Sequence, residues 1–272
     1  MSPCGPATFL ERYLRGDRER VWTDLRDLGS AVRDESLFAD AWGVAVETMR
    51  RVRDNVDILH RRLQDVGYQF HQPERAHAPP EADAATRLDT FETRHGPLPL
   101  SLRAFYEIVG TVDFRQSWTQ LADRYLGQNR AVASVEYLGA YDPLVVEPLV
   151  CEDAVWDPDH GRRAWFLAPD ECHKANHSVG MNYHVLLPDA GADFRIYGMP
   201  TSEGHLFGDY FVGYLRETFS GGGFRGVETG DDGDGYRKIP DFDITRRLAE
   251  GLRPIGTPPI EAPNNRPQPF GE

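Results

Sequence analysis

The residues with the clearest potential for metal chemistry lie together near the middle of the chain. Cys172, His173 and His177 offer the thiolate and imidazole ligands that zinc prefers, and the two histidines are spaced i, i+4. The segment lacks the paired C-x-x-C units of most zinc sites, and Asn176 and Gly180 favour a loop over a helix. We keep the three residues as candidates for a metal-dependent hydrolase, but predict a protein with no metal, no cofactor and no catalytic residue.

A glycine-rich segment, Gly221 to Gly226, matches the letters of the dinucleotide-binding pattern G-x-G-x-x-G. That chemistry needs a strand before the glycines and a helix after them, so that a pyrophosphate lies on the helix N-terminus. Here a helical pattern precedes the segment and the polar stretch Glu228 to Asp234 follows it. We therefore interpret the glycines as a helix stop and a tight turn.

Two kinds of side chain are candidates for contact with a partner protein. Asp231, Asp232 and Asp234 form an acidic cluster that lacks the glycine and glutamate positions of a calcium-binding loop, so we interpret it as an acidic surface loop. Trp118 and Trp156 are candidate aromatic anchors, because tryptophan is enriched among the residues that dominate binding energy. The alternative for each tryptophan is burial in the core.

The charge of the chain is negative and unevenly spread. The formal net charge is −13. Residues 1–70 hold 11 arginines against 12 acidic residues, whereas residues 71–272 hold 19 basic against 31 acidic residues, a balance of −12. Such a surface repels phosphate backbones and attracts basic proteins, so we expect a protein partner and no nucleic acid. The alternative is an acidic surface that only maintains solubility.

Nothing in the sequence indicates a membrane or an oxidising compartment. No run reaches the roughly 18 apolar residues that a membrane helix needs, and the N-terminus lacks the features of a signal peptide. Cys4, Cys151 and Cys172 are odd in number and widely spaced, which argues against a disulfide framework. We expect a cytoplasmic protein.

Residues 1–70 are predicted to form a helical module. Its strongest signal is a heptad seam with alternating steps of three and four residues, made of Trp42, Ala45, Met49, Val52, Val56, Leu59 and Leu63. Such a seam is typical of a coiled coil, but three heptads lie at the threshold for that assignment. Two interpretations stay open: a dimer formed through the Trp42–Leu63 helix, or packing of the seam within the same chain.

The rest of the chain is predicted to divide into three parts. Residues 71–86 contain prolines without periodicity and are predicted to be an exposed linker. Residues 87–250 start with helical patterns, continue with β-prone runs and return to a helix over Phe207 to Phe219, which indicates an α+β fold with a largely antiparallel sheet. The β-prone runs are 144–146, 164–167, 183–187 and 194–197. Residues 251–272 are a Pro-rich tail, predicted to be disordered.

Four segments between residues 87 and 226 together resemble the SUKH superfamily. Residues 91–110 are similar to its opening pair of helices, separated by Leu-Pro and ending near a glycine. Asp142 to Val146 resembles the family's entry into a strand, and Asp170 to Asn176 resembles a loop of bacterial members. Tyr210 to Phe224 resembles the closing helix and its GGF turn. The chain departs from many members at Val109, where they have Asn, and at Arg225, where they have Pro.

The resemblance implies a mixed α+β binding domain, and it transfers no catalytic residue because the family shares none. Known members include bacterial immunity proteins that neutralise contact-delivered toxins and fungal regulators of cell-wall assembly. We therefore predict an intracellular immunity protein that binds a toxin directly. The alternatives are a regulatory scaffold for a protein other than a toxin, and the metal-dependent hydrolase centred on Cys172, His173 and His177.

Overall fold

The computed structural model describes residues 7–121, 135–149, 155–158, 160–176, 182–198, 207–228, 236–238 and 243–256. The α-helices are α1 Phe9–Leu14, α2 Arg18–Asp27, α3 Glu35–Asp65, α4 Ala84–His95, α5 Leu100–Ile108, α6 Glu171–Lys174, α7 Phe211–Ser220 and α8 Asp243–Ala249. The strands are β1 His77–Ala78, β2 Thr111–Asp113, β3 Val145–Val146, β4 Val155–Asp157, β5 Arg162–Ala168, β6 Tyr183–Leu187, β7 Arg195–Tyr197, β8 Phe207–Tyr210, β9 Gly226–Glu228 and β10 Tyr236–Lys238. The fold is α+β, with an N-terminal helical region.

The longest helix, α3, packs the heptad seam inside the same chain. Six of the seven seam residues are fully buried: Ala45, Met49, Val52, Val56, Leu59 and Leu63. The helix contacts α1, α5, α8 and β1. Its seam lies in one hydrophobic core that also contains residues of the two main sheets described below. The seam residues are therefore packed within the same chain. Among the helices in the described ranges, none is both long and apolar enough to cross a bilayer.

The segment after α8 is held on α3 by paired hydrogen bonds. The Asn55 side-chain amide donates to the Arg253 carbonyl at 2.9 Å, and its oxygen accepts from the Arg253 backbone N–H at 2.7 Å. Ile255 is buried in the core. The sequence assigns residues 251–256 to a disordered tail, but the structure packs them against α3. The buried Asn55 side chain pairs with the backbone of Arg253 in this segment.

The smaller of the two main sheets is antiparallel, with the order β1-β2-β3. Val112 pairs with His77 on one side and with Val146 on the other. Strand β1 lies within residues 71–86, the predicted linker, and α4 begins there as well. A strand of two residues is too short to show an alternating pattern, so strand β1 could not be predicted from the sequence.

The larger sheet has five antiparallel strands in the order β4-β5-β6-β7-β8. One face is covered by helices: the Trp165 ring of β5 makes edge contacts with Phe91 of α4 and Tyr106 of α5. The opposite face carries the row Phe166, His184 and Tyr197, which are half-buried. One face of the sheet therefore belongs to the core and the other faces outward.

The helix predicted over Phe207 to Phe219 begins four residues late. Residues Phe207–Tyr210 form β8, which pairs with β7 through Tyr210 and Arg195, and α7 starts only at Phe211. The prediction was wrong for those four residues because pairing across the sheet outweighs the helical spacing of their aromatic side chains. The helix ends at Ser220, before the glycines.

Candidate binding surface

Two of the three candidate metal ligands lie on α6. The Asp170 carboxylate caps this short helix by accepting a hydrogen bond from the His173 backbone N–H at 2.8 Å, and it lies 3.7 Å from the His173 ring. Cys172 is half-buried beside it, and His177 lies outside the described residues. Within the described ranges, no three His, Cys, Asp or Glu side chains converge in a group that could hold a metal ion.

The same helix contributes a fully buried charge. The Lys174 ammonium is fully buried and donates to the Asp142 carboxylate at 2.6 Å and to the Tyr214 hydroxyl at 3.4 Å. The Tyr183 hydroxyl donates to the same carboxylate at 3.2 Å and lies 2.9 Å from Glu171. The Lys174 ammonium also lies over the Tyr183 ring, 4.7 Å from its centre. This group, Asp142, Glu171, Lys174, Tyr183 and Tyr214, is the buried polar cluster.

Electrostatics within the buried polar cluster keep the lysine charged. Burial disfavours the ammonium of Lys174, but the charge and hydrogen bond of Asp142, together with Tyr214, more than offset this and raise the lysine pKa. Burial, together with the nearby Asp142 charge, raises the pKa of Glu171. Tyr183 has a pKa well above its usual range, again mainly because of burial. The cluster is therefore a satisfied ion pair with neutral tyrosines.

The buried polar cluster joins three of the segments that carry the sequence resemblance. Asp142 precedes β3, Lys174 ends α6, and Tyr214 belongs to α7. Asp142 also holds a left-handed backbone conformation, with φ of +51°, and its carbonyl accepts the Arg225 N–H at 3.1 Å. A non-glycine residue with this conformation marks a position that its surroundings determine strongly. The sequence analysis missed this pair, although Lys174 is one of only two lysines in the chain.

Trp118, one of the two predicted anchors, is exposed. It lies in a turn after β2, and 54% of its surface is accessible. Its ring is 4.5 Å from the His71 ring, and the backbone of Ser117 donates to the Gln69 carbonyl at 2.7 Å. The indole is therefore supported from one side and open on the other, which suits an anchor that loses little side-chain entropy on binding.

Trp156, the other predicted anchor, lies on the edge strand β4 and is 61% exposed. Its neighbour Val155, which points to the opposite face of the sheet, is 69% exposed. Trp156 pairs across the strands with the exposed Arg163. The sequence analysis named Trp156 but missed Val155, because only the strand order shows that both faces of β4 are open.

A cleft of about 860 Å³ lies between α3 and the end of α5. Trp42, Pro80 and Ile108 contribute apolar surface to its walls. His77 bridges its two sides: one ring nitrogen is 3.0 Å from the Asp57 carboxylate and the other 3.2 Å from the Val109 carbonyl. The walls of the cleft therefore combine apolar surface with charges of both signs, from Arg50, Arg53, Asp57, Glu81 and Glu107.

One buried carboxylate joins the N-terminal helices to the α+β part. Asp193 accepts a hydrogen bond from the Ser101 hydroxyl at 2.9 Å, and its second oxygen lies 3.5 Å from the Arg26 guanidinium without a hydrogen bond. Burial raises the Asp193 pKa to about 6, although the hydrogen bond from Ser101 and the charge of Arg26 oppose the rise. The Asp193 carboxyl group therefore changes its charge near pH 6.

Comparison with known proteins adds no assignment. No family model, curated protein or solved structure matches the chain. The predicted partner-binding residues are therefore judged from the structure alone. Trp118 and Trp156 are exposed on different elements, while Asp231, Asp232 and Asp234 lie outside the described residues.

The buried polar cluster can be tested by removing one charge at a time. We expect Lys174→Met to lower the free energy of unfolding by about 3–5 kcal/mol, because it leaves the Asp142 carboxylate buried without a counter-charge. The double variant Lys174→Met/Asp142→Asn should be more stable than the single one, since asparagine tolerates the left-handed backbone. Urea unfolding measures both. His173→Ala, on the exposed side of the same helix, is the control and should change stability by under about 0.5 kcal/mol.

Asp193 should make stability depend on pH. Its pKa is higher in the folded chain than in the unfolded one, so its contribution is fully present below about pH 4 and is lost as the pH rises through about 6. We expect wild type to gain up to about 3 kcal/mol, relative to Asp193→Asn, between pH 7 and pH 4. Urea unfolding of both proteins at several pH values gives the difference, with the exposed Asp27→Asn as control. A difference that does not change with pH would contradict this account.

Proposed function

We propose that this chain is a non-catalytic protein-binding protein, and specifically a cytoplasmic immunity protein that neutralises a toxin by binding it. One observation carries the proposal: Trp118 and Trp156 are more than half exposed on a protein of net charge −13. Large aromatic side chains are the usual energetic centres of protein interfaces.

The charge supports a basic partner. A toxin that attacks nucleic acid needs basic side chains to hold phosphates, so its active surface is positive. An acidic protein meets such a surface faster at low salt, because the two fields attract before contact. The partner that fits this chain is therefore a basic toxin domain.

The resemblance to SUKH immunity proteins supports the same proposal at the level of the fold. Three of the segments that carry it contribute Asp142, Lys174 and Tyr214 to one buried polar cluster. Residues that form a buried ion pair have a structural reason to occur together. The cluster fixes the arrangement of these segments, and residues on the surface can vary without disturbing it. Specificity for one toxin would then lie in exposed residues such as Trp118 and Trp156.

Co-expression tests this function. If a neighbouring gene encodes a toxic domain, that domain is expressed in cells with and without the chain, and survival is measured. We expect the chain to restore growth and to form a complex recoverable at low salt, with affinity falling as salt rises. Trp118→Ala/Trp156→Ala should weaken binding at least ten-fold. The control is Leu14→Ala, an exposed apolar residue of α1.

Two results would contradict the proposal in different ways. Equal cell death with and without the chain, together with no complex at low salt, would remove the immunity function for that pair. A complex without any rescue of growth would instead favour a regulatory scaffold, because binding would then occur without neutralisation.

A further inference from the structure

The C-terminal end of α2 meets the α+β part of the chain at a buried carboxylate. Arg26, in the last turn of α2, lies 3.5 Å from the Asp193 carboxylate. Its guanidinium also lies over the Tyr210 ring of β8, 4.3 Å from the ring centre. A second ion pair, Glu19–Arg216 at 3.2 Å, links α2 to α7, and both of its side chains are partly exposed. The contact between α2 and the sheet side of the fold is thus largely polar.

The two oxygens of the Asp193 carboxylate have different surroundings. One oxygen accepts the Ser101 hydroxyl at 2.9 Å, at the start of α5, and the Val212 N–H at 3.4 Å, at the start of α7. The other oxygen is buried, faces Arg26 and has no hydrogen-bond partner among the described residues. The group that surrounds this carboxylate is called the α2 joint and consists of Arg26, Ser101, Asp193, Tyr210 and Val212.

This arrangement disfavours the charged form of Asp193. A buried carboxylate keeps its charge at little cost only when hydrogen bonds and a counter-charge satisfy both oxygens. Arg26 supplies a counter-charge but donates no hydrogen bond to the bare oxygen, and the next cation, Arg195, lies over the Tyr210 ring, 4.8 Å from its centre. Burial accordingly raises the pKa of Asp193 to about 6, against the opposing effects of Ser101 and Arg26.

A small cleft of about 90 Å³ lies beside the α2 joint, between α2 and α7, and three members of the joint line it. The other carboxylates of the cleft have closer counter-charges than Asp193 has. Glu19 lies 3.2 Å from Arg216. Asp209 lies 3.0 Å from Arg225 and accepts a hydrogen bond from it. A movement of the end of α2 would therefore bring water from the cleft to the one carboxylate here that lacks a hydrogen-bonded cation.

We propose that Asp193 makes the docking of the end of α2 depend on pH: the protonated carboxyl group lets Arg26 close over the α2 joint, and the ionised carboxylate loosens it. The closed joint keeps water from the bare oxygen and an open joint hydrates it, so ionisation favours the open form. Arg26 attracts the ionised form, but without a hydrogen bond it offsets only part of the cost of burial. This inference does not depend on the proposed function, and it adds a regulated contact inside the chain.

The direction of the pH dependence follows from the two states of the α2 joint. In the closed state the pKa of Asp193 is about 6, and in the open state it returns toward the ordinary value of about 4. The closed state therefore holds the proton more tightly. Docking of α2 is strongest at acidic pH and weakens as the pH rises through about 6, with an opening equilibrium that grows up to about ten-fold between pH 5 and pH 8.

Hydrogen–deuterium exchange of the full chain at pH 5, 6, 7 and 8 tests the inference, after correction for the intrinsic pH dependence of amide exchange. We expect the protection of residues 24–28 to fall up to about ten-fold from pH 5 to pH 8 in wild type and to stay constant in Asp193→Asn. Glu19→Gln is the matched control, because it removes the other ion pair between α2 and α7, and it should keep the wild-type pH dependence. Strand β6 reports global unfolding in the same samples.

Arg26→Gln provides a second test that does not require Asp193→Asn to fold. The charge of Arg26 opposes the rise of the Asp193 pKa, so its removal should move the loosening of α2 to higher pH. An unmoved pH dependence in Arg26→Gln, or the same dependence in Asp193→Asn as in wild type, would overturn the inference. So would protection of α2 that increases with pH, because the ion pair would then outweigh burial. A parallel change in β6 would also overturn it, since the effect would then be one of global stability alone.

Discussion

The α+β part of this protein depends on one buried ion pair. Removing Lys174 and Asp142 from water costs several kcal/mol for each charge, and only a geometry that satisfies both ions offsets this. That geometry requires α6, the entry to β3 and α7 to meet at one place, with Tyr214 and Tyr183 completing the hydrogen bonds. A slip of any of these elements would leave a charge unsatisfied, so the pair favours one arrangement over its neighbours. The ion pair therefore fixes how α6, α7 and the entry to β3 are placed relative to one another.

Local patterns predicted the elements that are long or fully buried. The three-heptad seam of α3 and the apolar run Tyr183–Leu187 were placed correctly, because burial on one face imposes a period that one segment shows by itself. Strand β8 was predicted as helix, since its state depends on pairing with β7. Residues 251–256 were assigned to the tail, since the residues of α3 that hold them, such as Asn55 and Arg51, are distant in sequence.

The candidate surface was predictable only in part, for the same reason. Composition indicates acidity, and tryptophan type alone suggests an anchor, so Trp118 and Trp156 could be named in advance. Whether each is exposed depends on the tertiary fold, and the exposure of Val155 depends on the order of five strands. The raised pKa of Asp193 likewise arises where α2 meets the sheet, a contact between residues far apart in sequence. Chemistry follows from residue type, whereas exposure and pairing follow from long-range contacts.

The central claim is that the chain works as an acidic binding surface on a rigid frame, and hydrogen–deuterium exchange tests it most directly. The full chain is compared alone and with an inactivated form of a toxic domain encoded by a neighbouring gene. The account predicts slower exchange at residues 155–157 and around Trp118, with unchanged exchange in the buried strand β6. Unchanged exchange throughout, or protection confined to the helices α1 and α2, would contradict it.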